Sequence, residues 1–433
     1  MEARIRVWLL FLLMLATAPA HAVLTVRITQ GVESALPIAI VPFAAPPSGP
    51  LPLELAEVVM SDLAGTGRFA PMAVEDLPAR PHDFEAINFA DWRLLGMENL
   101  LIGRIEDSPT GGYEVQFRLV DVYKGSQLLG YRVHAGRGDL RLAAHRISDM
   151  VYEKLTGERG AFSTRIAYVE VIRDAGGQKR HMLKIADSDG ANDRVLVESP
   201  EPLLSPAWTP DGEKIAYVSF EGRKSAIYLQ ELRSGQRRKL ADYPGLNSAP
   251  AFSPDGRYLA MTLSKDGNPD IYLLNLDSGR LQRMTSNPAI DTEPAWSPDG
   301  HTLAFTSDRG GSPQIYKVDA LGGRPQRVSF KGGYNARPRY APDGRHLAMV
   351  HGGPRGYQIA VLDLESGELT TLTDGPLDES PSYAPNGSMI IYATGGTGGS
   401  ELAAVSADGR VRKRLGLQEG EVREPAWGPF RRP

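Results

Sequence analysis

A repeat with a period of 43 or 44 residues runs from residue 205 to the C-terminal end of the chain. A full copy reads EPAWSPDGHTLAFTS (293–307): a proline, an aromatic residue two positions later, and a Ser-Pro-Asp-Gly turn. Four β-strands of about five or six residues, with their turns, fill such a period, so the repeat predicts the blades of a β-propeller. The prolines that open the copies are Pro206, Pro250, Pro294, Pro338, Pro381 and Pro425.

The turn in each copy explains the acidic residue that recurs there. Proline presets φ at the second position of the turn, aspartate suits the third, and glycine accepts the positive φ with which the chain leaves. A metal-binding or acid–base role is the alternative, but the turn alone accounts for the pattern, and asparagine replaces the acid in one copy. We therefore predict a structural role for Asp211, Asp255, Asp299, Asp343 and Asn386.

An aromatic residue recurs at one position of the first strand in every copy. Large aromatic side chains at a fixed place in a blade are expected to fill the gaps between neighbouring blades. The residues are Trp208, Phe252, Trp296, Tyr340, Tyr383 and Trp427.

The two ends of the repeat region complement each other. RIAYV (165–169) resembles the second strand of a copy but has no first strand before it, whereas EPAWGPF (424–430) is a first strand with no second strand after it. Pairing the two would close a ring of six blades and would remove the exposed edges of an open array. An open solenoid with an irregular cap is the alternative. The closed ring predicts a six-bladed β-propeller over residues 161–433.

The first 22 residues have the features of a secretory signal peptide. Arg4 and Arg6 precede the apolar run VWLLFLLML (7–15), and Ala20-His21-Ala22 follows. Nine apolar residues are too few for a membrane-spanning helix, which needs about 20. We therefore expect cleavage after Ala22 and export of the mature chain.

Residues 23–160 lack the repeat and predict a small α/β domain. Helices are expected within 51–69, 83–96 and 139–157, and strands at 38–43, 99–107, 113–123 and 127–136. The first eight residues, VLTVRITQ (23–30), alternate between apolar and polar side chains. They predict either an edge strand of this domain or a strand that adds to a partner's sheet.

Composition excludes several classes of function. The chain has no cysteine, so disulfides, thiolate metal sites and a lipidated N-terminal cysteine are excluded, and its net charge of −4 does not favour nucleic-acid binding. Neither an HExxH pattern nor a Gly-x-Ser-x-Gly sequence followed by a hydrolase-sized domain occurs. We find no catalytic constellation, and we expect no metal and no cofactor.

Varied polar loops precede the prolines and are the candidates for a binding face. The turns on the opposite face of the propeller agree closely between copies, as turns with only a structural role would. Variation is also what neutral drift produces in loops, so the pattern alone leaves both interpretations open.

Signal peptide, α/β domain and six-bladed propeller in this order resemble the TolB family of the periplasmic Tol–Pal envelope system. The stretches that carry the resemblance are GVESALPIAIVPF (31–43), GAFSTRIAYV (160–169), PLLSPAWTPDG (202–212), APAFSPDGRYLA (249–260) and DTEPAWSPDG (291–300). The resemblance implies a non-enzymatic, monomeric adaptor that supports outer-membrane integrity and envelope constriction in cell division.

The resemblance also implies two partners. The lipoprotein Pal would bind the propeller mouth and hold the adaptor at the outer membrane, and TolA would bind the mature N-terminal strand. The candidates for Pal are Ser205, Asn247, Ala249, Thr292, Glu293, Arg337 and Glu379; Glu424 occupies the position of Glu293 in the last copy. The candidates for TolA are Val23, Leu24, Thr25, Val26, Arg27, Ile28, Thr29 and Gln30.

Two points remain open at the level of sequence. Leu246 stands where related sequences often have histidine, which leaves the role of its loop undefined. A secreted propeller enzyme, or a propeller that binds a small molecule or a glycan, is the alternative function.

Overall fold

The computed structural model describes residues 25–28, 35–174, 176–396, 399–416 and 420–432, with the backbone alone for 25–28. The predicted signal peptide lies outside the described residues. So do Val23, Leu24, Thr29 and Gln30, the outer parts of the predicted N-terminal strand. No helix in the described ranges combines the length and apolarity needed to cross a membrane.

A mixed five-stranded sheet forms the centre of the N-terminal domain. Its strands are β2 (Leu36–Ile40), β3 (Phe69–Pro71), β4 (Asn99–Asp107), β5 (Tyr113–Asp121) and β6 (Ser126–Ala135). Their order in the sheet is β3-β2-β4-β5-β6. Strand β2 is parallel to β3 and β4, and β4, β5 and β6 are antiparallel. The helices are α1 (Leu55–Ala64), α2 (Phe89–Leu94) and α3 (Leu140–Thr156).

Helices α1 and α3 cover one face of this sheet. The helix predicted within 139–157 is confirmed as α3, and its residues Leu140, Ala144, Ile147 and Val151 are buried in the core of this domain. The left-handed Gly157 (φ 78°) ends α3, as expected for a helix C-terminus.

The helix predicted within 83–96 is confirmed only for the second part of that segment. The segment forms a 3₁₀ turn, Phe84–Ala86, and then the short helix α2. Asn88 separates them because its side chain accepts a hydrogen bond from the Ala90 amide and starts a new helix.

Six antiparallel sheets of the propeller follow, and the predicted closure of the ring is confirmed. Blade 1 contains β7 (Arg165–Arg173), β8 (Lys179–Asp187) and β9 (Arg194–Ser199), with the C-terminal β30 (Glu421–Trp427) as its innermost strand. Strand β30 pairs with β7 from Glu421 opposite Val171 to Trp427 opposite Ile166. The last strand of the chain therefore completes the first blade.

The other five blades run from the innermost to the outermost strand in chain order. Blade 2 contains β10 (Leu203–Trp208), β11 (Lys214–Ser219), β12 (Ala226–Glu231) and β13 (Arg237–Ala241); blade 3 contains β14 (Asn247–Phe252), β15 (Tyr258–Leu263), β16 (Asp270–Asn275) and β17 (Leu281–Arg283). Blade 4 contains β18 (Asp291–Trp296), β19 (Thr302–Ser307), β20 (Gln314–Asp319) and β21 (Gln326–Arg327); blade 5 contains β22 (Asn335–Tyr340), β23 (His346–Gly353), β24 (Gly356–Asp363) and β25 (Leu369–Thr371). Blade 6 contains β26 (Asp378–Tyr383), β27 (Met389–Gly396), β28 (Gly399–Ser406) and β29 (Val411–Leu415).

The N-terminal strand β1 (Thr25–Ile28) does not join the sheet of its own domain. It pairs antiparallel with β29, from Thr25 opposite Arg414 to Ile28 opposite Val411, and is the fifth strand of blade 6. The prediction of an edge strand in the α/β domain was therefore wrong. The strand instead covers the outer edge of a propeller blade, where backbone hydrogen-bonding groups would otherwise face solvent.

Aromatic residues of the inner strands connect neighbouring blades, as predicted. The indole Nε1 of Trp208 in blade 2 donates to the Ala426 carbonyl of blade 1 at 3.0 Å. Trp296 in blade 4 donates in the same way to Ala251 of blade 3 at 3.1 Å.

Candidate functional site

One end of the central channel is formed by a bulge that all six blades share. Where each inner strand reaches the residue before its proline, its register with the second strand shifts. That residue is left-handed in every blade, with φ between 48° and 58°. The six residues line one cavity of about 130 Å³, and we call them the mouth ring: Ser205, Ala249, Glu293, Arg337, Ser380 and Glu424.

This backbone conformation has an energetic cost. A residue with a side chain in the left-handed region is disfavoured by about 1 kcal/mol or more. The chain adopts it six times around one opening, and the proline that follows cannot donate a hydrogen bond to the ladder. Repeated strain around an opening is a physical indication of a functional surface.

Arg337 connects four blades across this end of the channel. Its Nε donates to Glu293 Oε1 of blade 4 at 2.9 Å, and its Nη2 lies 3.4 Å from Glu424 Oε1 of blade 1. Its Nη1 donates to the Ser380 hydroxyl of blade 6. The Glu424 carboxylate also accepts a hydrogen bond from the Ser205 amide of blade 2. Five of the six mouth-ring residues, all except Ala249, therefore belong to a single polar network.

The charges in this network stabilise each other. Burial disfavours the guanidinium of Arg337, but Glu424, Glu293 and Glu379 together raise its pKa above the ordinary value. Glu293 Oε2 also accepts from the Arg337 amide at 3.0 Å and from the Thr306 hydroxyl at 2.9 Å. A partner that approaches this mouth meets carboxylates and hydroxyls that are held in position.

Most of the residues predicted for this surface lie together. Ser205, Ala249, Glu293 and Arg337 belong to the mouth ring, and Thr292 lines the same cavity.

Two predicted residues have other surroundings. Asn247 is fully buried, and its side-chain amide donates to the carbonyls of Ser225 and Tyr243, so it holds the loop 243–247 in place and does not line the cavity. Glu379 is half-buried beside the mouth ring and acts on Arg337 through its charge. Leu246 is also half-buried, and its amide donates to the Ser264 hydroxyl at 2.7 Å.

The sequence prediction missed Ser380. A mouth-ring residue can be recognised in the sequence because it directly precedes the blade proline. In the sixth blade this position is occupied by Ser380, not Glu379. The same rule identifies Glu424, whose expected position beside the propeller mouth is confirmed.

The acidic residues of the turns have the predicted structural role. Asp299 accepts hydrogen bonds from the Ser297 hydroxyl at 2.5 Å and from the His301 amide at 2.9 Å, which closes the turn. Within the part of the chain that the structure describes, no three or more His, Asp or Glu residues are grouped as they would be around a metal ion.

Strand β1 is the second candidate site. Its four described residues are paired with β29 along their whole length. One edge of β1 is used by this pairing. The described residues predicted to bind a strand of a partner protein are therefore already paired with a strand of the propeller.

Comparison with known proteins identifies the same two domains, an amino-terminal domain and a propeller, over nearly the whole chain. A family model described as the TolB amino-terminal domain matches residues 24–128, and one described as the TolB beta propeller domain matches residues 152–431. A Tol-Pal system protein TolB from Nitrosococcus oceani is 59% identical, covering 98% of this chain and 99% of the relative. The same protein from Methylococcus capsulatus is 58% identical, covering 98% of each. A crystal structure of TolB from Acinetobacter baumannii superposes with a TM-score of 0.85 at 42% identity, covering 94% of this chain and all of the other.

Proposed function

The chain belongs to the TolB family of Tol-Pal system proteins, and from this premise we propose that it is a non-enzymatic periplasmic adaptor with two partner sites. The mouth ring binds the lipoprotein Pal, and the mature N-terminal strand binds TolA. Through these contacts the protein supports outer-membrane integrity and envelope constriction during division. It associates with the outer membrane through Pal and functions as a monomer.

The observation that carries the Pal assignment is the Arg337 network. This network joins side chains of four blades: Arg337, Glu293, Glu424 and Ser380. The side chain of Glu293 is only 21% exposed and that of Glu424 only 12%. Their positions are fixed before a partner arrives, which lowers the entropy cost of association. Thr292 lies beside this network on the same cavity and provides a polar contact at its margin.

Isothermal titration calorimetry with the soluble domain of Pal tests this site. We expect Glu293→Ala and Thr292→Ile to weaken binding by about tenfold or more, because the first removes a carboxylate from the network and the second replaces a polar contact at its margin with a larger apolar side chain. Glu365→Ala is the matched control, since Glu365 is 75% exposed in a turn between strands β24 and β25. Unchanged affinity in both mouth variants, with intact thermal unfolding, would remove the site assignment.

The TolA assignment rests on the position of β1. A short strand at a chain terminus that already pairs with a sheet edge is suited to pair with another edge. Because β1 pairs with β29 in this structure, binding of TolA through the same backbone edge requires β1 to leave blade 6.

Removing residues 23–30 tests the second site separately. We expect the shortened chain to lose binding to the soluble part of TolA and to keep its affinity for Pal. Retained TolA binding would place that site elsewhere on the chain and would leave the Pal assignment unaffected.

A further inference from the structure

Arg339 breaks the repeat at one position of the inner strands. Between the blade proline and the aromatic residue, the other five inner strands have a small residue. These residues are Ala207, Ala251, Ala295, Ser382 and Ala426. Blade 5 alone reads Pro-Arg-Tyr, and it therefore places one long cationic side chain in a ring of small ones.

The side chain of Arg339 lies where two cavities meet. One is the cavity of the mouth ring, and the other is a cavity of about 350 Å³ at the opposite end of the channel. Arg339 lines both, together with Pro206, Pro250 and Pro294. The second cavity is lined by the aromatic residues of all six inner strands, and we call it the aromatic mouth: Trp208, Phe252, Trp296, Tyr340, Tyr383 and Trp427.

The two arginines of this strand differ in their partners. Arg337 forms ion pairs with Glu293 and Glu424. Arg339 donates from Nη1 to the Pro338 carbonyl at 2.8 Å, and among the described residues no carboxylate forms an ion pair with it. A guanidinium has five N–H donors, so most of the donors of Arg339 remain available to a ligand.

The side chain of Arg339 is half-buried. Burial lowers its pKa and the positive charge of Arg337 acts in the same direction, while Glu293 and Glu424 act in the opposite direction. A guanidinium that is partly withdrawn from water gains more from an anionic partner than a fully exposed one does. A planar carboxylate fits it best, because it can accept two parallel N–H hydrogen bonds.

The walls of the aromatic mouth determine the rest of the ligand. The indole N–H groups of Trp208, Trp296 and Trp427 already donate to Ala426, Ala251 and Thr164, at 3.0, 3.1 and 2.8 Å. These side chains therefore offer ring surfaces to a ligand, and ring surfaces favour an apolar or aromatic body. Arg339 at the inner end disfavours a cationic ligand, although aromatic rings alone would attract one.

We propose that the aromatic mouth and Arg339 form a binding site for an organic carboxylate with an apolar body, separate from the mouth ring. The carboxylate accepts hydrogen bonds from Arg339, and the apolar body packs against the aromatic side chains. A small free acid and an acidic residue of an apolar peptide share this chemistry.

Tryptophan fluorescence measures this binding directly. Three of the five tryptophans of the chain line the aromatic mouth, and Trp92 is buried in the N-terminal domain with 1% of its surface exposed. Benzoate is the probe, benzyl alcohol is its neutral analogue and benzylammonium is its cationic analogue. We expect saturable quenching by benzoate, with benzyl alcohol at least about tenfold weaker and benzylammonium weaker still.

Two variants assign the signal to the guanidinium. Arg339→Ala installs the residue that four of the other five blades carry, so we expect it to fold and to bind benzoate at least about tenfold more weakly. Arg132→Ala is the control, because it removes an exposed arginine from the N-terminal domain and should leave benzoate binding unchanged.

Several outcomes would overturn the proposal. One is equal affinity for benzoate and benzyl alcohol, and another is the absence of a saturable signal. A third is an affinity of Arg339→Ala for benzoate within twofold of that of the unaltered chain. If that variant does not fold, the comparison of the three probes on the unaltered chain decides.

A short apolar peptide with a free terminal carboxylate, compared with its amide, then distinguishes a peptide from a free acid as the ligand. None of these measurements involves Pal or TolA, so the proposal stands or fails independently of the adaptor function.

Discussion

Nδ1 of His145 lies 2.7 Å from Oδ2 of Asp62, in a contact that joins helix α3 to helix α1. Both residues are buried, and the Ser148 hydroxyl donates to the same Asp62 oxygen at 2.7 Å. On its other side, Nε2 of His145 lies 3.5 Å from the carboxylate of Asp189 in blade 1, which also accepts from Arg141. One histidine therefore lies between a carboxylate of each domain.

The first prediction is that stability depends on pH through His145. Burial favours the neutral imidazole, but Asp62 and Asp189 raise the pKa of His145 to about 10. Burial lowers the pKa of the neighbouring Lys413 in β29, and Arg141 faces Asp189. Because the pKa of an unfolded histidine is about 6.5, the stabilisation is fully present below pH ~6.5 and is lost as the pH rises towards about 10.

Thermal unfolding of His145→Gln, compared with the unaltered chain, measures this effect. We expect the variant to be less stable by about 3 kcal/mol at pH 6, since it leaves two buried carboxylates without their shared cation. The difference should shrink steadily between pH 7 and pH 10. A difference that stays constant over this range would show that His145 is not charged between the domains.

The second prediction concerns the closing strand β30. Pro425 is buried in the second half of this strand, and the Trp427 indole donates to the Thr164 hydroxyl. Deleting residues 424–433 removes the second half of the strand and exposes the edge of β7, so we expect a loss of more than about 5 kcal/mol, enough to unfold a marginally stable domain.

Differential scanning calorimetry measures this loss, with Arg423→Ala as the control. Arg423 is exposed and pairs only with Glu421 of its own strand among the described residues. A deletion variant that melts like the unaltered chain would contradict the closure of the ring by β30.

The repeat made the propeller predictable from sequence because each copy contains its own turn and its own aromatic residue. Counting first and second strands was sufficient to place β30 beside β7. The pairing of β1 with β29 was not predictable in this way, because an alternating strand of four residues fits any free sheet edge. Only the folded propeller determines which edge is within reach.

The candidate site was predictable to a smaller extent. The loops before the prolines were identified, but sequence variation does not distinguish a side chain that lines a cavity from one that is buried beneath it. Asn247 is an example, since its amide donates to the backbone carbonyls of Tyr243, in its own loop, and of Ser225, which is 22 residues away. Arg339 was visible in the sequence as a departure from the repeat, yet its importance depends on the channel around it.

The third prediction concerns removal of residues 23–30. The outer strands of the other five blades have no fifth strand among the described residues, so blade 6 should persist with four. We expect the melting temperature to change by less than about 3 °C, which corresponds to about 1 kcal/mol for a domain of this size. Hydrogen exchange of amides between Val411 and Leu415 should become faster, because their partner strand is gone.

Exchange in β25, the outer strand of blade 5, is the internal control for that experiment. Its rate should not change. Unaltered protection of β29 in the shortened chain would indicate that β1 does not pair there in solution.

The fourth prediction concerns Asn386, the one asparagine among the acidic turn residues. Its Oδ1 accepts from the Ser388 amide at 3.1 Å, as an aspartate would, but its Nδ2 donates to the Arg159 carbonyl at 2.9 Å. Arg159 lies in the link between α3 and β7, so this amide joins the propeller to the segment that leads into it. An aspartate would keep the turn and would place a carboxylate oxygen against that carbonyl.

We therefore expect Asn386→Asp to lower the free energy of unfolding by about 1–2 kcal/mol, the cost of losing a hydrogen bond and opposing two acceptors. Asp299→Asn is the reverse exchange in blade 4, where the turn residue bonds only within its own turn, and it should cost less than about 1 kcal/mol. Urea denaturation of both variants at pH 7 measures the two effects. Equal costs would mean that the turn itself distinguishes the two residues and that the bond to Arg159 adds nothing.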